Sequence, residues 1–434
     1  MSHVSASTRE RATGFVVIRF LFAAIIILSC AFAIRTSWRA GVGRLLARDL
    51  SRNVQADQNA QRDQADRVVG LSPRDPETHS VRALVYYRAN DLKETIAELQ
   101  QSVMLRPSDY LLWLQLGRAR DEAGDVQGAK LALQQATALA PYYSDPRWQY
   151  GNVLYRAGHV DEAFRELRRA AAAEPSLFPV LMDLAWGTYS DPAAVEKIIA
   201  PGTDVLRLSL ARFFVTRGRT NEALALFRAS GGSATEERKQ LLKELLKNKQ
   251  FTAAYEVWKT DHAGAAGANA NNIVNPGFED RISLAEKSFG WWQEKRQEKV
   301  SLSLDTKRPR SGASCLFVEW SGDSPAGSAV LSQLVLTQPS TRYRLSFFAR
   351  TEDVVTAGLP VITITDASDK DARLLGQSQT LPQGTTSWNQ YDAVFETSTT
   401  TEAVLLNIQR QSCPPGPCPI FGMAWFDDFI LRKE

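Results

Sequence analysis

Residues 110–141 read YLLWLQLGRARDEAGDVQGAKLALQQATALAP, and this stretch determines the architecture of the N-terminal half of the chain. It ends in a proline that recurs every 34 residues, at Pro73, Pro107, Pro141 and Pro175. A constant period of this length indicates stacked copies of one helix-turn-helix unit. Small residues at Gly117 and Ala129 let the two helices of a unit approach closely. We therefore expect a series of helical hairpins.

The repeated unit resembles the tetratricopeptide repeat. The family's characteristic places are filled by Trp113, Leu116, Gly117, Ala129, Leu133, Ala136 and Pro141. The preceding unit departs from the pattern at Arg82-Ala83, where the family has Leu-Gly. Beyond Pro175 the spacing is shortened by Pro192, and it returns near Leu210. The resemblance predicts an all-α superhelix of five or six hairpins over residues 40–262.

In this family the first helix of each unit lines a concave groove. The corresponding places here are Tyr87, Arg88, Arg118, Asp121, Trp148, Asn152, Tyr155, Arg156 and Arg212. Arginine forks that hold carboxylates and aromatic faces that cover apolar side chains suit a peptide. The resemblance therefore implies a protein partner in the groove. The alternative is that Trp148 and Tyr155 pack between hairpins and that the arginines are solvated.

A long apolar segment precedes the repeats and follows an N-terminal tail, residues 1–13. Residues 14–34 form a run of 21 residues in which Arg19 is the only charged residue. This length spans a bilayer, so we predict a transmembrane anchor. Two alternatives stay open. Ala31-Phe32-Ala33 has the form of a signal-peptidase site, and Cys30 has the residue type needed for lipid modification.

Beyond the repeats the character of the chain changes. Residues 263–274 are small and polar, which is typical of a linker. From residue 275 onward apolar and polar residues alternate, as in Tyr343, Leu345 and Phe347 with Arg344 and Ser346 between them. Many short strands without a helical period predict an all-β sandwich over residues 275–434.

Ordered motifs in this region resemble the carbohydrate-binding modules with a galactose-binding-like jelly roll. They are Asn275-Pro276-Gly277-Phe278-Glu279, Gly290-Trp291-Trp292, Trp388-Asn389-Gln390-Tyr391 and Trp425-Phe426-Asp427-Asp428. The resemblance implies a sugar-binding surface in which aromatic rings stack on sugar faces. The candidate rings are Trp291, Trp292, Trp320 and Trp388. Their alternative role is in the core of the sandwich.

The resemblance also implies a structural calcium ion. Glu279, Asp427 and Asp428 match the family positions that supply oxygen ligands, and calcium takes six to eight oxygens. The alternative is that Asp427 caps a turn and that Asp428 is a satisfied buried carboxylate.

The arginine distribution and the cysteine pair predict opposite orientations across the membrane. Arginines follow the apolar segment more densely than they precede it, and this bias favours a cytoplasmic C-terminal part. Cys413 and Cys418, however, bracket a Pro-Pro-Gly-Pro turn that brings two sulfurs within reach of a disulfide, a bond of oxidising compartments. The alternative is two unpaired thiols. Because modules of the resembled kind usually work outside the cytoplasm, we predict a single-pass membrane protein with exported C-terminal domains.

Composition and spacing argue against two functional classes. The net charge, 51 − 48 = +3, is too small for a nucleic-acid-binding stripe. The four histidines are scattered, and no P-loop or dinucleotide fingerprint is present, so we expect no enzyme. The predicted function is a membrane adaptor that binds a protein and a glycan, in exopolysaccharide or envelope assembly. The alternatives are a purely structural assembly factor and an accessory subunit of a polysaccharide-processing enzyme.

Overall fold

The computed structural model describes residues 5–52, 57–231, 234–262, 273–282, 287–293, 296–413 and 418–434, with side chains from residue 22 onward. The chain forms two compact units, Met1–Ala200 and Pro201–Glu434. The first unit is all-α, and the second contains four further helices and a β-sandwich. The predicted helical domain, residues 40–262, is thus divided between the two units, and most of the predicted linker lies outside the described residues.

The first helix joins the apolar segment directly to the repeats. Helix α1 runs unbroken over Ser5–Arg52, and α2 over Gln58–Leu71. Side chains from residue 22 to residue 37 are exposed, whereas Ala47 and Leu50 are buried against the following helices. The predicted tail, anchor and start of the helical domain are therefore parts of one helix, because apolar contacts in its last turns continue it into the hairpins.

The remaining helices of the first unit form antiparallel hairpins. They are α3 Pro76–Arg88, α4 Leu92–Leu105, α5 Tyr110–Glu122, α6 Val126–Leu139, α7 Ser144–Arg156, α8 Val160–Ala173, α9 Phe178–Tyr189 and α10 Pro192–Ile199, with a 3-10 turn at Pro175–Leu177. Aspartate side chains cap several N-termini by accepting backbone N–H bonds, as Asp91 does from Glu94.

Close packing explains the small residues of the repeat. A Cβ added to Gly117 would lie 2.5 Å from Leu133 Cγ, and one added to Gly151 would lie 2.6 Å from Leu167 Cγ. The two helices of each hairpin therefore touch where the repeat places glycine, as the sequence predicted.

The second unit begins with four helices, α11 Asp204–Thr216, α12 Thr220–Arg228, α13 Thr235–Lys247 and α14 Phe251–Asp261. The described helices from α3 to α14 make six hairpins, within the range expected from the sequence.

Nine described strands complete the second unit. They are β1 Val300–Asp305, β2 Cys315–Asp323, β3 Leu331–Leu336, β4 Arg342–Thr356, β5 Pro360–Asp366, β6 Leu374–Gln377, β7 Asn389–Glu396, β8 Ala403–Arg410 and β9 Pro419–Lys433. One sheet has the order β1-β2-β9-β4-β7 and the other the order β3-β8-β5-β6, and the paired strands are antiparallel. The predicted β-sandwich is confirmed.

The two sheets differ in what their outer faces contact. In the four-stranded sheet, outward residues such as Leu334 and Val361 are buried. On the helical side of the unit, Trp258 packs against Phe289, and Lys249 Nζ donates a 2.8 Å hydrogen bond to the Ser368 carbonyl. In the five-stranded sheet, outward residues along β1, β2 and β4 are exposed or half-buried. The five-stranded sheet therefore presents the accessible face.

Candidate functional site

Three of the four predicted sugar-stacking tryptophans are buried, and Trp291 and Trp320 belong to the core cluster of the sandwich. Trp291, Trp292 and Trp320 are 3%, 4% and 2% exposed. Trp291 packs on Phe278 with ring centroids 5.1 Å apart, and its Nε1 donates to the Asn275 carbonyl. A ring without an exposed face cannot stack on a sugar, so the prediction is wrong for these three. Trp388 is half-buried and lies outside the core cluster.

The outer face of the five-stranded sheet carries a different aromatic cluster. The strand register aligns Phe317 of β2, Trp425 of β9 and Arg350 of β4 in one row. The two aromatic rings lie 5.1 Å apart, and the Arg350 guanidinium carbon lies 4.4 Å from the Trp425 ring centre. Trp425 Nε1 donates a 2.7 Å hydrogen bond to Asp305, which fixes the ring. Alternation along β9 turns Trp425 outward, because its neighbours Ala424 and Phe426 face the core, but the ring is only 2% exposed beneath Arg308 and Arg350.

A polar cavity of about 730 Å³ adjoins this row at the edge of the sheet. The register pairs Ser301 of β1 with Glu319 of β2, and both are exposed on the same face as Phe317. The polar residues that line the cavity are Gln293, Arg296, Gln297, Glu298, Lys299, Ser301, Glu319 and Ser321. Planar amides, carboxylates and guanidinium groups are the partners that sugar hydroxyls require. The cavity and the aromatic row both include outward residues of β2, Glu319 in the cavity and Phe317 in the row, and together they are hereafter called the outer-face site.

The predicted calcium ligands come from the first and last segments of the sandwich sequence, and the fold brings them close together in space. Asp427 is fully buried, and its carboxylate accepts hydrogen bonds from the backbone N–H groups of Arg310, Ser311 and Asp428. Burial raises the pKa of Asp427 above its ordinary value despite these hydrogen bonds. Glu279 Oε2 accepts from the N–H groups of residues 313 and 314.

Two of the three carboxylates face each other, although the described residues contain no group of three or more His, Cys, Asp or Glu side chains that could hold a metal ion. A Cβ added to Gly277 would lie 3.4 Å from Asp427 Oδ1 and 3.6 Å from Glu279 Oε1, so both oxygens face the same small space. No cationic side chain forms an ion pair with Glu279 or Asp427 among the described residues. Asp428 is different, because it pairs with the Arg310 guanidinium and accepts from Ser311 Oγ at 2.7 Å. Asp428 therefore belongs to an ion pair, and the sequence prediction for it is corrected.

A disulfide joins Cys413 and Cys418, whose Cα atoms are 6.2 Å apart. Residues 414–417 between them lie outside the described residues. Beside the bridge, Arg410 is only 1% exposed, and its guanidinium donates to the Cys418 carbonyl. Its Nε and Nη1 atoms have no hydrogen-bond partner among the described residues. Burial lowers the pKa of Arg410, and the nearby Asp323 carboxylate opposes that shift.

Two predicted groove arginines of the first unit, Arg118 and Arg156, are ion-paired across neighbouring hairpins. Arg118 Nη2 on α5 donates to both carboxylate oxygens of Asp145 on α7, at 2.6 and 2.8 Å. Arg156 on α7 pairs in return with Asp121 on α5. The guanidinium groups of Arg118 and Arg156 are therefore already paired with carboxylates, and these ion pairs connect α5 with α7.

The other predicted groove residues have more varied surroundings. Arg88 donates to the Ser51 carbonyl at 2.8 Å and so ties α3 to the end of α1. Tyr155 donates or accepts a 3.0 Å hydrogen bond with Thr188, and its ring packs edge-on against Phe164. The half-buried Trp148 and Asn152 lie on α7, and the exposed Arg212 lies on α11 of the second unit.

Tyr87 borders a cavity of about 420 Å³ between α3 and α5. Tyr87 is 46% exposed, and a hydrogen bond with Glu122 raises its pKa. Apolar residues that include Val81 and Leu84 line the cavity, and Arg118 lies at its polar side. This cavity places Tyr87 and Arg118 of the predicted groove around one concave space.

A family match covers most of the C-terminal sandwich. Residues 270–417 match the family described as carbohydrate binding domain. The chain is also similar to solved structures at low identity. One is MamA from Desulfovibrio magneticus RS-1, with 12% identity, coverage of 44% of this chain and 92% of that chain, and a TM-score of 0.30.

Two further solved structures resemble the chain. The first is another crystal structure of MamA, with 20% identity, 43% and 92% coverage and a TM-score of 0.28. The second is PilF of Pseudomonas aeruginosa, with 16% identity, 48% and 99% coverage and a TM-score of 0.33. No curated protein is significantly similar in sequence. Residues 270–417 thus match a carbohydrate-binding domain family, and helical hairpins with a 34-residue period precede them.

Proposed function

We propose that the protein is a non-enzymatic membrane adaptor whose repeats bind a protein partner and whose sandwich binds a glycan. The setting that best suits this pair of activities is exopolysaccharide or cell-envelope assembly. The observation that carries the proposal is the outer-face site, because it combines a carbohydrate-binding family match with exposed polar groups beside the half-buried Phe317 ring.

The glycan would lie along the row formed by the register of β1, β2 and β9. Phe317 offers an aromatic group to the apolar side of a sugar ring, and Arg350 over Trp425 offers planar donors at its edge. Glu319 and Ser301 then accept from and donate to the hydroxyls. In this proposal the surface holds a glycan and does not cleave it.

The test is glycan-array binding followed by calorimetry on the full chain and on residues 201–434, which form the compact second unit. Glu319→Ala should weaken binding about tenfold, because it removes an acceptor from the site. The matched control is Glu396→Ala, an exposed carboxylate on β7 at the other edge of the same sheet. If the wild-type protein binds no plant, bacterial or animal glycan on the array, a purely structural role of the sandwich is favoured.

The proposed protein site is the cavity between α3 and α5 together with the neighbouring ion pairs. A peptide apolar side chain would enter the space beside Val81 and Leu84, and its carboxylate would compete with Asp145 for Arg118. Arg118→Glu combined with Arg156→Glu should abolish capture of the groove partner in pull-down.

Charge reversal alone also breaks ion pairs, so a swapped pair serves as the control. The combination Arg118→Asp and Asp145→Arg keeps opposite charges at the two positions while it moves the cation from α5 to α7. We expect this variant to fold normally and to lose the partner. Unchanged recovery with both designs would refute the groove.

We propose calcium for the space beside Gly277, with Glu279 and Asp427 as its two carboxylate ligands. Two carboxylates are fewer than calcium needs, and backbone carbonyls commonly supply the remainder. A bound cation would compensate the buried charge of Asp427 and link the first and last segments of the sandwich.

Within Phe22–Arg52, helix α1 contains an 18-residue window of mean hydropathy 1.4, which makes it long and apolar enough to cross a membrane, and a signal sequence would satisfy the same test. We propose an uncleaved anchor with the C-terminal domains outside the cytoplasm. Alkylation of intact cells by a membrane-impermeant thiol reagent, directed to a cysteine added at the C-terminus, tests this orientation. The absence of labelling in intact cells, with labelling after lysis, contradicts export.

Two other functions are separated by binding experiments. A purely structural assembly factor would bind no glycan, and an accessory subunit would co-purify with a transferase or polymerase. The carbohydrate-binding family match favours the adaptor and the accessory subunit over the structural factor.

A further inference from the structure

A cleft of about 440 Å³ lies between α8 and α10 of the first unit. Its wall on α8 is a stripe at helical spacing, formed by Asp161, Phe164, Arg165 and Arg168. Its wall on α10 is formed by Ala194, Lys197 and Ile198, and Tyr189 at the end of α9 closes one side. Helix α10 has eight residues against fourteen in α8, so part of the α8 surface has no neighbouring helix to cover it.

The cleft contains more positive than negative charge. Arg165, Arg168 and Lys197 form no ion pair with any described residue. Other arginines nearby are paired, since Arg147 and Arg169 share the Glu166 carboxylate at 2.5 and 2.6 Å. Asp161 is the one carboxylate among the lining residues, so the lining carries a net charge of 3 − 1 = +2. An anionic ligand is therefore complementary to this cleft.

The floor of the cleft is apolar. Phe164 is 5% exposed, and its ring lies 5.9 Å from that of Tyr189, which is 42% exposed. Ile198 adds an aliphatic group. A fitting ligand thus carries negative charge together with an apolar side chain.

The lining distinguishes between classes of anionic ligand. It contains no asparagine, glutamine, serine or threonine among the residues that form it, and these are the groups that hold sugar hydroxyls. A flat bilayer surface cannot enter a concave space between two helices. A peptide can, because arginine forks bind carboxylates in pairs while an aromatic floor covers one apolar side chain.

We infer that the α8–α10 cleft is a second docking site, for an acidic segment of a partner protein. It is separate from the cavity between α3 and α5, which belongs to the proposed groove. Carboxylates of the segment pair with Arg165, Arg168 and Lys197, and one apolar residue of the segment rests on Phe164 and Tyr189.

Fluorescence anisotropy with the full chain in detergent tests the inference. The probe is a fluorescein-labelled peptide of glutamates around one leucine, and polygalacturonate and phosphatidylglycerol vesicles are competitors. Arg165→Glu with Lys197→Glu should weaken peptide binding about tenfold or more, since two charge-assisted contacts become repulsive. The matched control is Arg67→Glu with Arg74→Glu, which reverses two exposed arginines of the same unit away from the cleft.

Charge-neutral variants provide a second test in case the charge reversal at Arg165 and Lys197 disturbs folding. Arg165→Gln with Lys197→Gln should retain the helical circular dichroism of the wild type and still lose most of the peptide affinity. The inference is overturned if the peptide does not bind, if it binds the cleft and control variants equally, or if only the uronate or the vesicles depend on the cleft residues. Because these residues lie outside the groove, failure here leaves the proposed function standing.

Discussion

His79 Nδ1 lies 2.7 Å from Glu98 Oε2, in a buried contact between α3 and α4. The other ring nitrogen, Nε2, lies 3.0 Å from the Pro73 carbonyl oxygen. Both partners accept hydrogen bonds, so the imidazole donates from both nitrogens and is a cation. Arg82 donates to Glu98 Oε1 at 2.6 Å and also contacts Asp66, so His79 and Arg82 share one carboxylate.

This cluster makes the first hairpin sensitive to pH. The hydrogen bond with Glu98 raises the pKa of His79, although burial opposes it. Burial would raise the pKa of Glu98, but hydrogen bonds from His79 and Arg82 lower it overall. The contribution of His79 is therefore complete below its ordinary pKa of 6.5 and is lost as the pH rises through its raised value. The contribution of Glu98 is present above 4.5 and is lost as the pH falls through its lowered value.

We expect His79→Gln to lower the free energy of unfolding of the first unit by about 1.5–3 kcal/mol at pH 5. The difference from wild type should shrink as the pH rises toward 9. Thermal melting followed by circular dichroism across this range measures it. His159→Gln, an exposed histidine in a repeat turn, is the control and should show little effect. A constant difference at every pH would contradict the cationic state.

Gly117→Ala should destabilise the first unit, because the new methyl group would lie 2.5 Å from Leu133 Cγ. Overpacking of this kind costs about 1–3 kcal/mol. Gly187→Ala is the matched control, since nothing lies within 4 Å of its added Cβ in α9, and it should stabilise the helix by up to about 1 kcal/mol. If urea unfolding shows that both variants are stabilised, helix propensity and not the contact with Leu133 determines the effect at Gly117.

Removal of calcium should lower the melting temperature of residues 201–434. The buried Asp427 carboxylate loses its countercharge when EDTA is added, so its desolvation is no longer compensated. Asp427→Asn should abolish the difference between calcium and EDTA. Asp428→Asn should preserve it, because that carboxylate is bound to Arg310. A melting temperature that EDTA leaves unchanged in the wild-type protein rules out the calcium proposal.

Loss of the disulfide should cost about 2 kcal/mol from chain entropy, and the Cys418 backbone carbonyl that accepts from Arg410 would no longer be held in place by the bridge. Cys413→Ser with Cys418→Ser in the second unit tests this by denaturant unfolding. In an Arg410→Met background the same double substitution should cost less, because no buried guanidinium depends on the Cys418 carbonyl. Equal costs in the two backgrounds would mean that the bridge and Arg410 act independently.

The sequence predicted the repeats and the sandwich because both leave local periodic patterns. The burial of individual aromatic residues was harder to predict, because the same ring chemistry suits a residue packed in the core and a residue that stacks on a sugar. Alternation held the missing information: Trp320 shares its strand face with Leu316 and Val318 of the core, whereas Phe317 and Glu319 face outward. The ion pairs of Arg118 and Arg156 depend on stacking between repeats, which no single repeat reveals.

The sequence also did not predict that α1 continues without a break from the apolar segment into the helical hairpins. An apolar run of 21 residues predicts a span, but whether a helix continues past it depends on contacts with residues far along the chain. Ala47 and Leu50 find those contacts in α2 and α3.

The unbroken α1 has a mechanical consequence. A flexible tether would let the hairpins swivel freely, whereas a continuous helix clamped at Ala47 and Leu50 acts as a stiff lever. Rotation or tilt of the apolar segment would then turn the first hairpins by the same angle. With the proposed membrane anchor, a protein bound to those hairpins would be held at a fixed distance and orientation relative to the apolar segment.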